Sequence, residues 1–267
     1  MNYRRSHRLK TKKPKLKTLF FSFLFIFSIG LLIYFFLFSD FFTLKNITIS
    51  GNNKISQEEI LIKAQEEINT KKFQIISNNL LLFDLENVKE NILSSFPLVS
   101  NVKMDKKFPN TINISISERM GKAIFCGFFN DNFLEECFVV DSEGIVFEEF
   151  SVEDQLLPKI RNVDFQEALI LGSQIIEKKL LSTVLNFNLG VEDINIQLKE
   201  FLIISDIRVN AITLEGWEIY FNPKEDIEWQ LTKLDAVLDK KISLEERKNL
   251  EYVELRFGNT APFKWND

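Results

Sequence analysis

Residues 44–68 read LKNITISGNNKISQEEILIKAQEEI. Ile47 and Ile49 alternate with polar neighbours until Gly51-Asn52-Asn53, which predicts a short strand closed by a turn. The period then changes. Ser56 and Glu59 stand in the S-x-x-E arrangement, in which each side chain satisfies the other's backbone N–H. Ile60, Leu61, Ala64 and Ile68 fall on one helical stripe. A strand feeding a capped amphipathic helix needs further strands to bury that stripe.

Those strands lie downstream. A second helix is expected after Asp84, with Leu85, Val88, Ile92, Leu93 and Phe96 on its buried face and Pro97 at its end. Val102 and Met104 alternate in the next run. In TINISISE, residues 111–118, Ile112, Ile114 and Ile116 alternate strictly with Asn113, Ser115 and Ser117. Phe108-Pro109-Asn110 is the turn between them. The order strand, helix, helix, strand, strand describes a small α+β layer with helices on one face of a sheet.

Upstream, LFFSFLFIFSIGLLIYFFLF at residues 19–38 carries no charge. Twenty helical residues at about 1.5 Å each span roughly 30 Å, the thickness of a bilayer's hydrocarbon core. A cleaved signal peptide would have a shorter apolar run of roughly 7–15 residues and a small-x-small site. Here Ser39-Asp40-Phe41-Phe42 follows instead, so a retained anchor is expected. Residues 1–17 hold Arg4, Arg5, Arg8, Lys10, Lys12, Lys13, Lys15 and Lys17 and no acid. The positive-inside rule puts this tail in the cytoplasm, and residues 40–267 outside it.

Charge and composition restrict the chemistry. With 45% hydrophobic and 27% charged residues, the chain is a folded protein. Its net charge is −5, so the eight cations of the tail leave −13 for the rest. An acidic body argues against nucleic acid as the main partner. His7 in the tail is the sole histidine, which removes Ser-His-Asp and Cys-His catalysis and His-ligated metal from the body. No metal, cofactor or small-molecule substrate is expected.

Beyond residue 117 the pattern turns mostly to strands. Ala123–Phe129 and Phe133–Asp141 flank Asn130-Asp131-Asn132, a hairpin signal, and Asp141-Ser142-Glu143-Gly144 is a second turn before Ile145–Phe150. A helix is expected from Asp164 and Glu167, with Ile175, Ile176, Leu180 and Val184 on its apolar side. Strand-like runs follow near 191–198, 201–214 and 216–221. Ile227, Leu231, Leu234, Leu238 and Ile242 mark a last helix over 226–242. LEYVELRF and APFKW close the chain as β-type runs around Gly258-Asn259-Thr260.

The residues quoted above resemble the FtsQ/DivIB family of bacterial cell-division proteins. LKNITISGNNKISQEEI is similar to the opening of that family's POTRA domain, and FPLVSNVKMDKKFPNTINISISER, residues 96–119, to its closing strands. ERMGKA at 118–123 resembles the E-R-x-P-x-A junction, with Gly121 in place of Pro, a change expected to loosen the hinge. CFVVDSEGIVFEE resembles the V-D-x-x-G-x-V-F hairpin of the second domain. WQLTKLDAVL and YVELRF resemble its final helix and D-L-R-F/Y strand, with Glu254 in place of Asp.

The resemblance implies an α+β protein. A basic cytoplasmic tail (1–17) and a single transmembrane helix (18–39) would precede a POTRA domain (40–117) and a β-rich domain with flanking helices (118–267), with Glu118 and Arg119 at the junction. It implies a non-enzymatic, single-pass type II membrane scaffold at the division septum. Its partners would be FtsB/DivIC-like and FtsL-like coiled-coil proteins, bound by strand addition at the C-terminal edge, with the POTRA domain touching other divisome proteins. By position the family's partner-binding residues fall on Arg256, Phe257, Asn259, Thr260 and Trp265. Val253, Leu255 and Phe257 share one strand face by period 2, so Phe257 is a candidate for the core as much as for the interface; Tyr252, Glu254 and Arg256 then face outward.

Two features stay open at this level. Centring the hairpin between Asp131 and Asn132 sets Cys126 opposite Cys137, within bridging range; a disulfide and a pair of buried thiols both fit that placement. The pairs Glu66-Glu67, Glu135-Glu136, Glu148-Glu149 and Glu245-Glu246 also raise the alternative of a signal-anchored cell-wall hydrolase using paired carboxylates. Neighbours on a strand point to opposite faces, which counts against it. A POTRA protein of outer-membrane assembly ranks last, because the anchor is a helix.

Overall fold

The computed structural model describes residues 16–70, 79–127, 135–151, 154, 156–163 and 169–266. Helix α1 (Leu16–Phe38) contains the stretch Phe20–Phe38, which has mean hydropathy 2.5 and is long and apolar enough to cross a membrane. The basic tail lies outside the described residues, apart from Leu16 and Lys17.

The described chain forms two compact units. One runs up to Asn91 and includes Lys103–Ser115; the other comprises Ile92–Val102 and the chain from Ile116 on. The first contains β1 (Asn46–Ser50) and α2 (Gln57–Thr70). The division passes through α3 (Glu86–Ser95), β2 (Val99–Lys107) and β3 (Thr111–Glu118). The three strands make one sheet in the order β1-β3-β2, with β1 parallel to β3 from Asn46↔Thr111 to Ser50↔Ser115. The capping box forms: Glu59 N–H donates to Ser56 Oγ at 3.2 Å, and Ser56 N–H to Glu59 Oε2 at 3.4 Å. Ile60, Ala64, Val88, Ile92, Ile112, Ile114 and Ile116 are all buried, as the two periods predict.

In the second unit, nine strands join in one sheet. They are β4 (Ala123–Gly127), β5 (Glu136–Val140), β6 (Val146–Glu149), β7 (Lys159–Asn162), β8 (Leu198–Ser205), β9 (Arg208–Thr213), β10 (Glu218–Phe221), β11 (Leu250–Glu254) and β12 (Phe263–Trp265). Their order is β12-β11-β10-β9-β8-β7-β4-β5-β6. Helices α4 (Lys178–Asp193) and α5 (Ile227–Lys241) share its core. Val184 and Phe187 of α4 and Leu234 and Leu238 of α5 join Phe125, Phe201, Phe221 and Val253 in one buried cluster. The Phe187 and Phe221 rings stack with centroids 3.9 Å apart. Each such fully buried chain is worth about 1.5–3 kcal/mol over an exposed one.

The helix expected from residue 164 starts only at Lys178; Asp164 and Glu167 lie outside the described residues. The segment before it has another task. Ile175 N–H donates to Gly144 O at 2.9 Å, Val146 N–H to Ser173 O at 3.0 Å and Gly172 N–H to Val146 O at 2.7 Å. Residues 172–175 therefore cover the start of β6 at Val146, and a chain bonded sideways to a strand cannot also close helical turns. Gly144 makes this possible. Its φ is +78°, and any Cβ there would collide with the Ile176 carbonyl. The run near 191–198 is likewise not a strand, since α4 continues to Asp193 and β8 begins at Leu198.

Candidate functional site

The two ends of the large sheet differ. β6 is covered at Val146, whereas among the described residues β12 pairs on one side only, antiparallel to β11 through Leu250↔Trp265, Tyr252↔Lys264 and Val253↔Phe263 with a bulge between Leu250 and Tyr252. Glu254 N–H donates to Pro262 O at 2.8 Å, and Asn266 N–H donates to Asn249 O at 2.8 Å. Backbone groups alternate sides along an antiparallel strand. The N–H and C=O of Phe263 and Trp265 therefore point away from β11, toward the open edge.

Around this edge the strand alternation expected for 252–257 breaks down. β11 ends at Glu254, so period 2 does not extend to Arg256 and Phe257. Glu254, expected to face outward, is 7% exposed, and Phe257, a candidate for the core, is 60% exposed. The Glu254 carboxylate accepts from Arg256 Nε at 2.8 Å, from Nη2 at 2.6 Å and from Arg256 N–H at 3.0 Å. That fork spends the guanidinium inside the protein and holds it 5.0 Å over the Phe257 ring. Asn259 and Thr260 are exposed in the link between β11 and β12. Trp265, 37% exposed, meets Phe263 edge to face with centroids 5.3 Å apart.

Lys233 carries part of this arrangement and escaped the sequence reading. It lies buried on α5, and its ammonium donates to Leu255 O and, at 3.1 Å, to Gly258 O, which pins the chain between β11 and β12. Burial holds the Lys233 ammonium below the usual lysine range, and nearby Glu254 opposes the shift. Its signal was present: Gln230, Lys233, Leu234, Val237 and Leu238 form one buried stripe, and a lysine on such a stripe needs acceptors. The Tyr220 and Tyr252 rings stack with centroids 4.8 Å apart, and the Arg208 guanidinium covers Tyr220 at 4.3 Å.

Elsewhere in the second unit, Cys126 and Cys137 face each other across β4 and β5 and are joined by a disulfide, with Cα atoms 4.1 Å apart. The turn expected at Asn130-Asp131-Asn132 lies outside the described residues. Arg119 donates through Nε to Pro97 O at 3.0 Å and pairs with the buried Asp141, whose other oxygen accepts from Glu143 and Ile145 N–H at 2.9 and 3.0 Å. Glu118 ends β3. Gly121 sits in a tightly packed place. A Cβ there would lie 2.7 Å from Val139 Cγ1 and 3.0 Å from Leu157 Cδ1, so the missing side chain is a packing requirement.

Comparison with known proteins agrees with this architecture. Residues 42–119 match the model of the FtsQ-type POTRA domain. The chain is similar to the cell division protein DivIB of Clostridium acetobutylicum, at 32% identity over 40% of this chain and 37% of that protein. It is also similar to the DivIB of Clostridium tetani, at 26% over 84% and 80%, and to the cell division protein FtsQ of Syntrophotalea carbinolica, at 29% over 51% and 43%. The first and last of these matches span less than half of the relative's own length. An apolar N-terminal helix, an FtsQ-type POTRA domain and a sheet-rich region after it define an anchored α+β protein of the POTRA class. The chain is similar to cell-division proteins of the FtsQ/DivIB family, and residues 42–119 carry the FtsQ-type POTRA domain.

Proposed function

We propose that this protein is a non-enzymatic scaffold of the bacterial divisome. It sits in the cell membrane at the division septum with residues 1–17 in the cytoplasm, α1 as its span, and a POTRA domain (40–117) and β domain (118–267) outside. The β domain recruits FtsB/DivIC-like and FtsL-like coiled-coil partners and links them to septal cell-wall synthesis. The observation that carries this reading is the open β12 edge, where Phe263 and Trp265 offer two N–H and two C=O groups to an added strand. Trp265 and Phe257 supply exposed aromatic surface beside it, with Asn259 and Thr260 in the adjoining link, and Arg256 shapes the site through Glu254.

The hydrolase alternative finds little support in the carboxylates. Glu66 pairs with Lys63 at 2.8 Å and Glu135 with Arg161 at 3.0 Å. The Ser243 hydroxyl and N–H hold Glu246 below the usual carboxylate range, which is the wrong direction for a general acid.

The test is amide hydrogen exchange on residues 40–267 with and without the extracytoplasmic part of the FtsB/DivIC-like partner. Binding is expected to protect the Phe263 and Trp265 amides and to leave β6 unchanged. Protection at β6 alone, or none anywhere with the complex formed, would move the site elsewhere.

A further inference from the structure

The extracytoplasmic end of α1 is closed by a residue far along the chain. Asn79 is 5% exposed, and its side-chain amide donates to Phe36 O at 2.7 Å and to Leu37 O at 3.0 Å, while Ser39 N–H takes Phe35 O at 3.1 Å. The carbonyls of Phe35, Phe36 and Leu37 in the last helical turn are thus satisfied within the protein. In water they would need no such partner; at the boundary of a hydrocarbon layer an unpaired carbonyl is costly. The same turn is tied on further. Thr43 bridges to Asn79, Leu80 N–H donates to Phe42 O at 2.8 Å, and the Asn79 carboxamide oxygen accepts from Leu81 N–H at 2.9 Å.

What this turn presents is apolar. Leu80 is buried, but Leu82 is 56% exposed and Leu81 also lies in the open. Phe41, three residues beyond the end of α1, is 56% exposed and stands edge to face against Phe42, whose ring in turn contacts Phe36 of α1 at 5.4 Å. Lys106 donates to Leu81 O at 3.3 Å, which sets a cation beside the leucines. Apolar side chains next to a cation, continuous with the end of a membrane-long helix, match the layering of the lipid headgroup region.

We propose that Phe41, Leu81 and Leu82 insert at the boundary between headgroups and acyl chains. Asn79 locks this turn to the end of the span, so the two enter the membrane as one body. The occupant is the bilayer interface, since the Asn79 turn is bonded directly to the end of α1 and Phe42 packs on Phe36, while exposed Asp40, between Phe38 and Phe41, falls at headgroup level. The proposal rests on α1 crossing the bilayer, and its test reads that separately.

The experiment uses the full chain in vesicles of phosphatidylcholine with phosphatidylglycerol. Single nitroxide labels are placed by Leu82→Cys, Phe41→Cys, Ile62→Cys on exposed α2 and Ser28→Cys in the middle of α1. Cys126 and Cys137 are bonded to each other, so only the new thiol labels. Collision with oxygen, which concentrates in lipid, is compared with collision with a water-soluble nickel chelate. The label at 28 should be lipid-deep, those at 41 and 82 several-fold richer in oxygen over nickel collisions than that at 62. Asn79→Ala should shift the label at 82 toward water with the far-ultraviolet dichroism unchanged. If 28 is lipid-deep while 82 and 41 match 62, the proposal is overturned and the span stands. If 28 itself is open to nickel, the span fails and the proposal with it.

Discussion

Glu254 and Arg256 are locked to each other by three hydrogen bonds, two from the guanidinium at 2.8 and 2.6 Å and one from the Arg256 backbone N–H at 3.0 Å. A charged pair only two residues apart takes this form because the strand ends at Glu254 and the chain turns back on itself. Removing one partner strands the other in a largely buried place. Glu254→Ala is expected to cost about 2–3 kcal/mol in urea denaturation, more than Arg256→Met, because it also frees the Arg256 N–H. Equal and small effects would mean that the pair is solvated in solution.

Lys233→Met removes the donor to Leu255 O and Gly258 O. The link to β12 should loosen, and partner affinity should fall about tenfold, or about 1.4 kcal/mol. The pH dependence has a defined sign. Burial sets the folded pKa below the ordinary lysine value of about 10.5, so the unfolded chain holds the proton more tightly. Wild type should therefore gain stability relative to Lys233→Met as pH rises through the window just below 10.5, and lose that gain toward neutrality. A parallel pair of curves would contradict the burial of the ammonium.

Gly121→Ala places a methyl against Val139, a stiff β-branched side chain in β5 that is itself buried. Thermal unfolding should show a loss of about 1–3 kcal/mol from overpacking. Gly121→Pro should lose at least as much, although Pro is the residue expected at this junction. A neutral Gly121→Ala would show that Leu157 and Val139 give way freely.

Reducing the Cys126–Cys137 bond opens a loop with a sequence separation of 11, worth about 2–3 kcal/mol in chain entropy. For a chain of this size the melting midpoint should drop by about 5–10 °C. Intact mass before and after reductant gives the check, since the two states differ by two hydrogens. An unchanged mass would remove the bridge.

The readable part of the fold was periodic. Strict alternation at Ile112, Ile114 and Ile116 and a helical stripe through Ile60 and Ala64 each place apolar groups on one face by chain geometry alone, and all five are buried. The same holds for α5, whose Asp226 cap accepts from Trp229 N–H at 2.9 Å. Ile175 and Ile176 show the opposite case. Their spacing fits a helix, but their N–H groups are claimed by Gly144 across the chain. Glu254, expected to face outward, is buried by its bonds to Arg256, and Phe257, which the strand period left open between core and interface, is exposed because β11 stops before it; where a strand stops depends on what its neighbours bond.

Local periodicity, charge asymmetry and capping thus determined the apolar N-terminal helix, the β-α-α-β-β order and the existence of a strand-rich region after it. Those features follow from bonds and burial within a few residues of each other. Tertiary structure decided which edge of the nine-stranded sheet stays open, which charge Arg256 meets, what Lys233 pins and what closes the end of α1. Each of those depends on groups brought together from distant positions, Val146 with Ser173, Lys233 with Leu255, and Asn79 with Phe36. Hydrogen-bonding capacity is finite, so a partner arriving from far along the chain removes it from the local pattern.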